Sequence, residues 1–302
     1  MAMAAAEKIL RFGIPKGSLE QQTIELMRKS GWRITVDSRS YIPTVDDPAL
    51  SLRVMRPQEM PRYIADGHLD AAITGSDWVM ENDVDLVQVE SFIYAKVSMK
   101  PSRWVLVVPE DSPVKRLEDL EGKVVATEIV GFTKRIFAER KVKVDVEFSW
   151  GATEAKAADG LVDAIVDVTE TGSSLRANKL RIVEELLTSN PVLVANPASW
   201  KDEWKQAKIK QIAVLMRAAL DADARVGLKL NVAKKNLEKI IAVLPSITAP
   251  TISYLYPSPV LKGEEWVAVE TMIAEHTVRE LFPKLLEAGA VGIVEYPLNK
   301  II

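Results

Sequence analysis

Asp163, Asp167, Glu170, Thr171, Ser173 and Ser174 place six polar side chains within twelve residues. The run Asp163-Ala-Ile-Val-Asp167 reads as a short strand carrying two carboxylates. It opens into Glu170-Thr171-Gly172-Ser173-Ser174 and then into helix-forming residues. A strand that ends in small hydroxyl residues and a glycine, just before a helix, makes a cradle for a phosphate. Its backbone N–H groups are free, its hydroxyls donate, and the helix start carries positive partial charge. Acids beside such a cradle repel a bare phosphate, but they suit ribose hydroxyls or a Mg²⁺ travelling with the phosphate. A phosphorylated ribose satisfies both requirements. Period-two alternation sets Asp163 and Asp167 on one strand face, with Asp167 nearer the turn. Glu154, on a helix, is a further metal candidate, although a helical carboxylate is usually solvated. The competing reading is structural, because an Asp-apolar-Asp strand running into a Thr-Gly turn occurs in many α/β proteins.

Two more turns carry candidate groups. Lys16 and Gly17 close the first strand, where α/β sheets place ligand contacts. Thr74-Gly75-Ser76-Asp77 is a second glycine turn at a strand end, and its competing role is to cap the helix that follows.

The elements that must position these turns alternate. Strands are expected at Arg11–Pro15, Leu52–Met55, Leu69–Thr74, Trp104–Pro109, Lys123–Thr127 and Val144–Phe148, and helices at Ser18–Arg28, Pro57–Asp66, Phe132–Lys141 and Ala152–Gly160. Such alternation with short loops means mostly parallel sheets covered on both faces. The expected organisation is two α/β lobes, the first from residues 1–100 and 181–212 and the second from 101–180, with a ligand cleft between them. From about residue 217 the rhythm becomes βαββαβ, the ferredoxin-like order, through residue 302.

Composition narrows the chemistry. With 302 residues, 27% charged and a formal net charge of −3, the chain has no basic surplus to suggest nucleic acid. The absence of cysteine excludes disulfides, thiolate zinc sites and cysteine nucleophiles. The two histidines, His68 and His276, support neither a triad nor a two-histidine metal site. The N-terminus is too weakly apolar for a secretory signal, and no apolar run spans a membrane, so the expected location is cytoplasmic.

The run from Gly151-Ala-Thr-Glu154 through Asp163–Asp167 to Glu170-Thr-Gly-Ser-Ser-Leu-Arg176-Ala-Asn178 resembles the phosphoribosyl-diphosphate loop of the ATP phosphoribosyltransferases, which open histidine biosynthesis. Gly13-Ile-Pro-Lys16-Gly17-Ser18 and the stretch Arg56 to Trp78 are similar to that family too, and the tail resembles the regulatory domain of its long form. The resemblance implies a periplasmic-binding-protein-like catalytic body with a ferredoxin-like, ACT-like C-terminal domain. It implies a glycosyltransferase that joins N1 of ATP to C1 of 5-phosphoribosyl 1-diphosphate, releases diphosphate and uses Mg²⁺. Glu170–Ser174 with Asp163 and Asp167 would then hold the phosphoribosyl diphosphate, the two aspartates and Glu154 would hold the metal, and Lys16, Arg39 and Arg56 would neutralise the leaving group. Lys16, Gly17, Thr74, Gly75 and Asp77 would contact ATP. Feedback inhibition by histidine at Asn231 and Thr251 is implied as well, in a hexamer that relaxes to a dimer, with no nucleic-acid or membrane partner. Many relatives carry arginine directly after the Lys-Gly turn, where this chain has Ser18. Two rival readings are a bilobal solute-binding or effector module and a prephenate dehydratase-like enzyme. The latter needs a Thr-Arg-Phe motif that this chain lacks.

Overall fold

A computed structural model describes residues 8–37, 40–93, 101–245, 249–257 and 263–302. The chain forms two compact units. One runs to Ala213, and the other comprises Lys29–Gly31 with Val214–Ile302.

The first unit holds two lobes. The first lobe is built from β1 (Leu10–Pro15), α1 (Glu20–Ser30), a small β2–β3 ribbon (Ile34–Thr35, Thr44–Val45), β4 (Leu50–Met55), α2 (Met60–Ala65), β5 (Ala71–Gly75), α3 (Ser76–Asn82) and β6 (Val87–Ser91). The second lobe follows with β7 (Ser102–Pro109), β8 (Val124–Thr127), α4 (Val130–Glu139), β9 (Asp145–Phe148), α5 (Thr153–Ala158), β10 (Ala164–Thr169), α6 (Ser173–Ala177) and β11 (Leu180–Ser189). The chain then re-enters the first lobe as β12 (Pro191–Ala195) and continues through α7 (Pro197–Lys201) into α8 (Glu203–Asp223). The two sheets run β4-β1-β5-β12-β6 and β11-β7-β10-β8-β9. In β7, Trp104, Leu106 and Val108 feed one core while Val105 and Val107 feed another, as a sheet covered on both faces requires.

The expected boundary at residue 181 is corrected. Leu180–Ser189 pairs antiparallel with β7 in the second lobe, so the return to the first lobe begins only after Asn190. Register shifts between Ile182 and Glu184 and between Glu185 and Leu187 break the alternation that would have marked this segment as one strand.

The second unit is β13 (Arg225–Ala233), α9 (Leu237–Val243), β14 (Thr251–Tyr254), β15 (Trp266–Ala274), α10 (Val278–Glu287) and β16 (Val291–Pro297), ordered β14-β15-β13-β16 in its sheet. This is the ferredoxin-like βαββαβ order. Val226, Leu228, Leu230 and Val232 alternate onto a core shared with Ile240, Leu281 and Leu285 of the helices.

Candidate active site

Within the first unit, a cavity of about 530 Å³ gathers the ends of several strands. The first lobe contributes Lys16, Gly17 and Ser18 after β1, Arg56 and Gln58 after β4, and Gly75, Asp77 and Trp78 after β5. The second contributes Glu128 after β8 and Thr169, Glu170, Thr171, Ser173 and Ser174 after β10. This is the carboxyl-end rule of α/β sheets.

The hydroxyl turn is ordered by its own side chains. Thr169 Oγ1 accepts from Gly172 N–H at 2.8 Å, and the Thr171 and Ser173 hydroxyls meet at 3.0 Å. Gly172 takes φ +71°, a left-handed conformation that glycine adopts without cost, and it starts α6. The first N–H groups of a helix have no acceptor within it, so the turn presents donors to the cavity.

Two cations line the same cavity. Lys16 stands 4.4 Å from the Tyr41 ring centroid, and neither Lys16 nor Arg56 makes a salt bridge among the described residues. Arg39, expected as a third, lies outside the described residues.

Asp77 plays a different part from a simple cap. Helix α3 starts at Ser76 with Gly75 as its cap residue. The buried Asp77 carboxylate accepts from Trp104 Nε1 at 2.8 Å and from Trp78 N–H at 2.9 Å, and so ties the two lobes. Burial raises its proton affinity. A Cβ at Gly75 would lie 2.1 Å from Asp77 Oδ1, so this position requires glycine. The lobes are tied again where Glu81 of α3 accepts from Gly131 and Phe132 N–H of α4, at 2.9 and 2.7 Å. Thr74 is fully buried, and its hydroxyl donates to the Pro57 carbonyl at 3.1 Å instead of reaching the cavity.

The two aspartates of the β10 segment separate. Asp163 precedes the strand at the opposite end from the turn. It pairs with Lys123 at 3.0 Å and accepts from Val124 N–H at 3.0 Å, which holds its carboxyl below the usual range. Its expected place beside a bound sugar or metal is therefore corrected. Sharing a strand face with Asp167 does not put both at the same end of the strand. Asp167 lies two residues before Thr169 and is pushed up to about 6, first by burial and then by the Glu154 and Glu128 carboxylates. Glu154 is thus brought near Asp167.

Because the folded protein binds the Asp167 proton more tightly than the unfolded chain does, ionisation opposes folding. The contribution is full below about pH 4 and is lost as pH rises through about 6. Asp167→Asn is accordingly expected to gain about 1–3 kcal/mol of stability at about pH 8. In metal-free buffer that gain should vanish below about pH 4. Denaturant melts of both proteins across that range check it, and equal stability at high pH would contradict the burial argument.

Sequence reasoning passed over Glu128, Gln58, Trp78 and the crossover pair Ser189–Asn190, all of which line the cavity. Glu128 could have been found from its place just after a strand. The crossover pair could not, because its position depends on β11 joining the second sheet.

In the second unit, Thr251 lines a cavity of about 320 Å³ with Glu270, Met272 and Tyr296. Asn231 shares the same sheet face, opposite Ala268 on β15, but is not among that cavity's lining residues.

A two-lobed α/β body that presents a hydroxyl-rich turn and two cations to one cavity, followed by a βαββαβ unit, is the class that this fold and site define. A family model described as ATP phosphoribosyltransferase matches residues 56–218, and one described as HisG, C-terminal domain, matches residues 222–300. The chain is 56% identical over 294 residues to an ATP phosphoribosyltransferase from Geotalea uraniireducens, covering 97% of this chain and 99% of that protein. It is 55% identical, with the same coverage, to one from Trichlorobacter lovleyi. Among solved structures, the ATP phosphoribosyl transferase (HisG:HisZ) complex from Thermotoga maritima aligns with TM-score 0.60 and 26% identity, over 69% of this chain and 98% of that one. This chain belongs to the ATP phosphoribosyltransferase family, in its long form with the C-terminal domain.

Proposed function

We propose that the chain joins ATP to 5-phosphoribosyl 1-diphosphate in the cavity of the first unit, as the first step of histidine biosynthesis. The observation that carries this reading is that the hydroxyl turn and two cations that make no salt bridge among the described residues line one cavity in a chain of this family. N1 of the adenine ring attacks C1 of the sugar, the C1–O bond breaks, and its electron pair leaves with the diphosphate. The ring sheds the resulting positive charge by losing an exocyclic amine proton. Glu128, which lines the cavity and whose proton affinity is raised by burial, is the carboxylate placed to take it.

The protein's other groups position and neutralise. Thr171, Ser173 and Ser174 hold the 5′-phosphate through backbone N–H groups and hydroxyls, with Gly172 supplying the left-handed bend of the turn and Glu170 beside them. Lys16, Arg56 and Arg39 take the departing diphosphate, where arginine's fork matches phosphate oxygens. Gly17, Gly75 and Asp77 form the wall on the ATP side, with Thr74 supporting it from beneath.

Among the described residues, no group of three or more His, Asp or Glu side chains could cage a metal ion. The donor set instead fits a Mg²⁺ that arrives on the diphosphate, because such ions take one or two carboxylates plus phosphate oxygens. Carboxylates outnumber cations along the described lining, and burial, together with the Glu154 and Glu128 carboxylates, raises the proton affinity of Asp167. Asp167 and Glu154 would hold the ion, which would supply charge neutralisation to the leaving group.

The C-terminal unit would bind histidine as an inhibitor, with Thr251 in its cavity and Asn231 on the same sheet face, in a homohexamer that relaxes to a dimer. The reading places the enzyme in the cytoplasm. Among the described residues no helix is long and apolar enough to cross a membrane.

Separate thermal melts with phosphoribosyl diphosphate plus Mg²⁺, with ATP and with histidine test the assignment. Each ligand at about 100 times its dissociation constant should stabilise the chain by about 2.7 kcal/mol. No shift with either substrate, and no diphosphate released from the pair, would sink the transferase reading. A missing shift with histidine alone would remove only the inhibition.

A further inference from the structure

Helix α3 belongs to the first lobe by chain order, yet groups of the second lobe hold it at both ends. At its start, Ser76 N–H donates to the Asn190 carbonyl at 2.9 Å and Asp77 N–H donates to Ser189 Oγ at 3.2 Å. The Asp77 carboxylate accepts from Trp104 Nε1 of β7. Trp78 meets Trp104 edge-on, with 6.1 Å between centroids, and packs against the core of the second lobe. Asp77, Trp104 and Ser189 are all buried, so this end of the helix is a fixed pivot.

The other end is built differently. The two oxygens of Glu81 accept from Gly131 and Phe132 N–H of α4 at 2.9 and 2.7 Å, and Arg135 Nη2 donates back to the Met80 carbonyl. Glu81 and Gly131 are only half-buried, so water can compete for this grip. The cap residue of α4 is Ile129, whose side chain cannot accept a hydrogen bond. A carboxylate from the first lobe therefore does for α4 what a serine or aspartate at its own start would do. Its negative charge also meets the positive end of the helix dipole. Gly131 permits the approach: a Cβ there would lie 3.0 Å from the Glu81 carbonyl oxygen and 3.3 Å from Glu81 Oε1. The residue sits inside α4, so its missing side chain serves the contact between lobes and not a turn.

This grip bears on the cavity. Lys16 and Arg56 line it from one lobe, while the hydroxyl turn and Glu128 line it from the other. Glu128 directly precedes the cap residue of α4, so its station follows from where that helix start rests. Reacting groups misplaced by about 1 Å lose about 100-fold in rate.

We propose that Glu81 is a positioning residue for the transfer: by capping α4 from the opposite lobe, it sets the closure of the cleft and the place of Glu128. This rests on the transferase reading above and adds to it a residue that acts through α4 and not on a substrate. The 5′-phosphate is held by second-lobe groups alone, so its binding does not need the grip. Bond transfer across the cleft does.

Steady-state kinetics, calorimetry and melts test it on the full chain and on Glu81→Ala, Glu81→Gln and Gly131→Ala. Glu81→Ala should lower kcat by about 10-fold or more, with the dissociation constant of phosphoribosyl diphosphate kept within about 3-fold. Amide exchange at Gly131 and Phe132 should quicken in the same variant. Glu81→Gln keeps one acceptor but turns a donor toward the second helix N–H, so it should recover only part of the loss. Gly131→Ala supplies the readout that a merely structural role would not move. Alanine suits a helix interior better than glycine, so the melt should hold or rise. The added methyl nevertheless wedges the lobes apart, and kcat should fall by about 3-fold or more. Unchanged amide exchange in Glu81→Ala, or a kcat within about 2-fold of wild type, overturns this assignment alone. So does a fall in kcat matched by an equal loss of affinity for the sugar diphosphate. A wild type that forms no product from the two substrates overturns the transferase reading and this one with it.

Discussion

Gly172→Val is expected to lower kcat/KM for phosphoribosyl diphosphate by at least about 100-fold, the scale set by losing one preorganised backbone donor to a charged oxygen. The argument is conformational. Gly172 holds φ +71°, where a β-branched residue is strained by about 1–3 kcal/mol. A Cβ there lies 3.2 Å from Arg176 Nη1, the atom that donates to the Thr171 carbonyl. Relieving the strain means turning the Thr171–Ser173 backbone away from the cavity, which also breaks the Gly172 N–H bond to Thr169. The other atom within 4 Å of that Cβ is Ile182 Cδ1 at 4.0 Å, an ordinary contact, so the fold should survive with a modest loss of stability. Gly172→Asn tolerates the left-handed region better and should retain more activity than valine. Substrate titrations and a melt of each variant decide it. Valine activity within about 3-fold of wild type would mean the turn does not hold the phosphate.

That turn was legible in the sequence because its residue types are themselves the chemistry: small hydroxyls and a glycine between an apolar run and a helix. Lys16 and Arg56 were legible for a related reason, each standing just beyond a strand. Asp163 shows where such reading ends. Alternation gives the face a side chain occupies but not its distance along the strand. Four residues at about 3.3 Å each separate Asp163 from Asp167, which is enough to move it to the wrong end. Bulges in β11 hid the lobe boundary by interrupting the period. The aromatic pair at Phe148 and Trp150 was invisible for another reason: aromatics at a strand end default to core, and only the fold shows that these two are exposed. The ties from Asp77 to Trp104 and from Glu81 to α4 join residues 27 and about 50 positions apart, and no local pattern predicts them.

The same limit applies to Asp70, whose replacement by alanine should cost the first unit about 3–5 kcal/mol, the range for removing one partner of a buried charge pair. Its fully buried carboxylate accepts from Arg11 N–H at 2.8 Å, Arg11 Nη2 at 2.9 Å, Ser199 Oγ at 2.8 Å and Lys205 Nζ at 2.7 Å. Those partners pin the start of β1 to the start of β5 and hold α7 and α8 against them. The far ends of β1 and β5 carry Lys16 and Gly75, so this cluster fixes the registry of the cavity wall from the opposite side of the sheet. Arg11 is 45% exposed and Lys205 is 26% exposed, so water can rehydrate both cations once the acid is gone. That places the expected cost at the lower end of the range. Despite its burial, these bonds hold the Asp70 carboxyl far below the usual carboxylate range. A depressed folded value means the stabilisation is present above the unfolded value of about 4 and is lost only as pH falls through the folded one. The deficit of Asp70→Ala should therefore be constant from about pH 8 down to about pH 5 and shrink only in stronger acid. Denaturant melts at several pH values give both numbers. A deficit below about 1 kcal/mol would show that the cations, not the acid, organise this corner of the sheet.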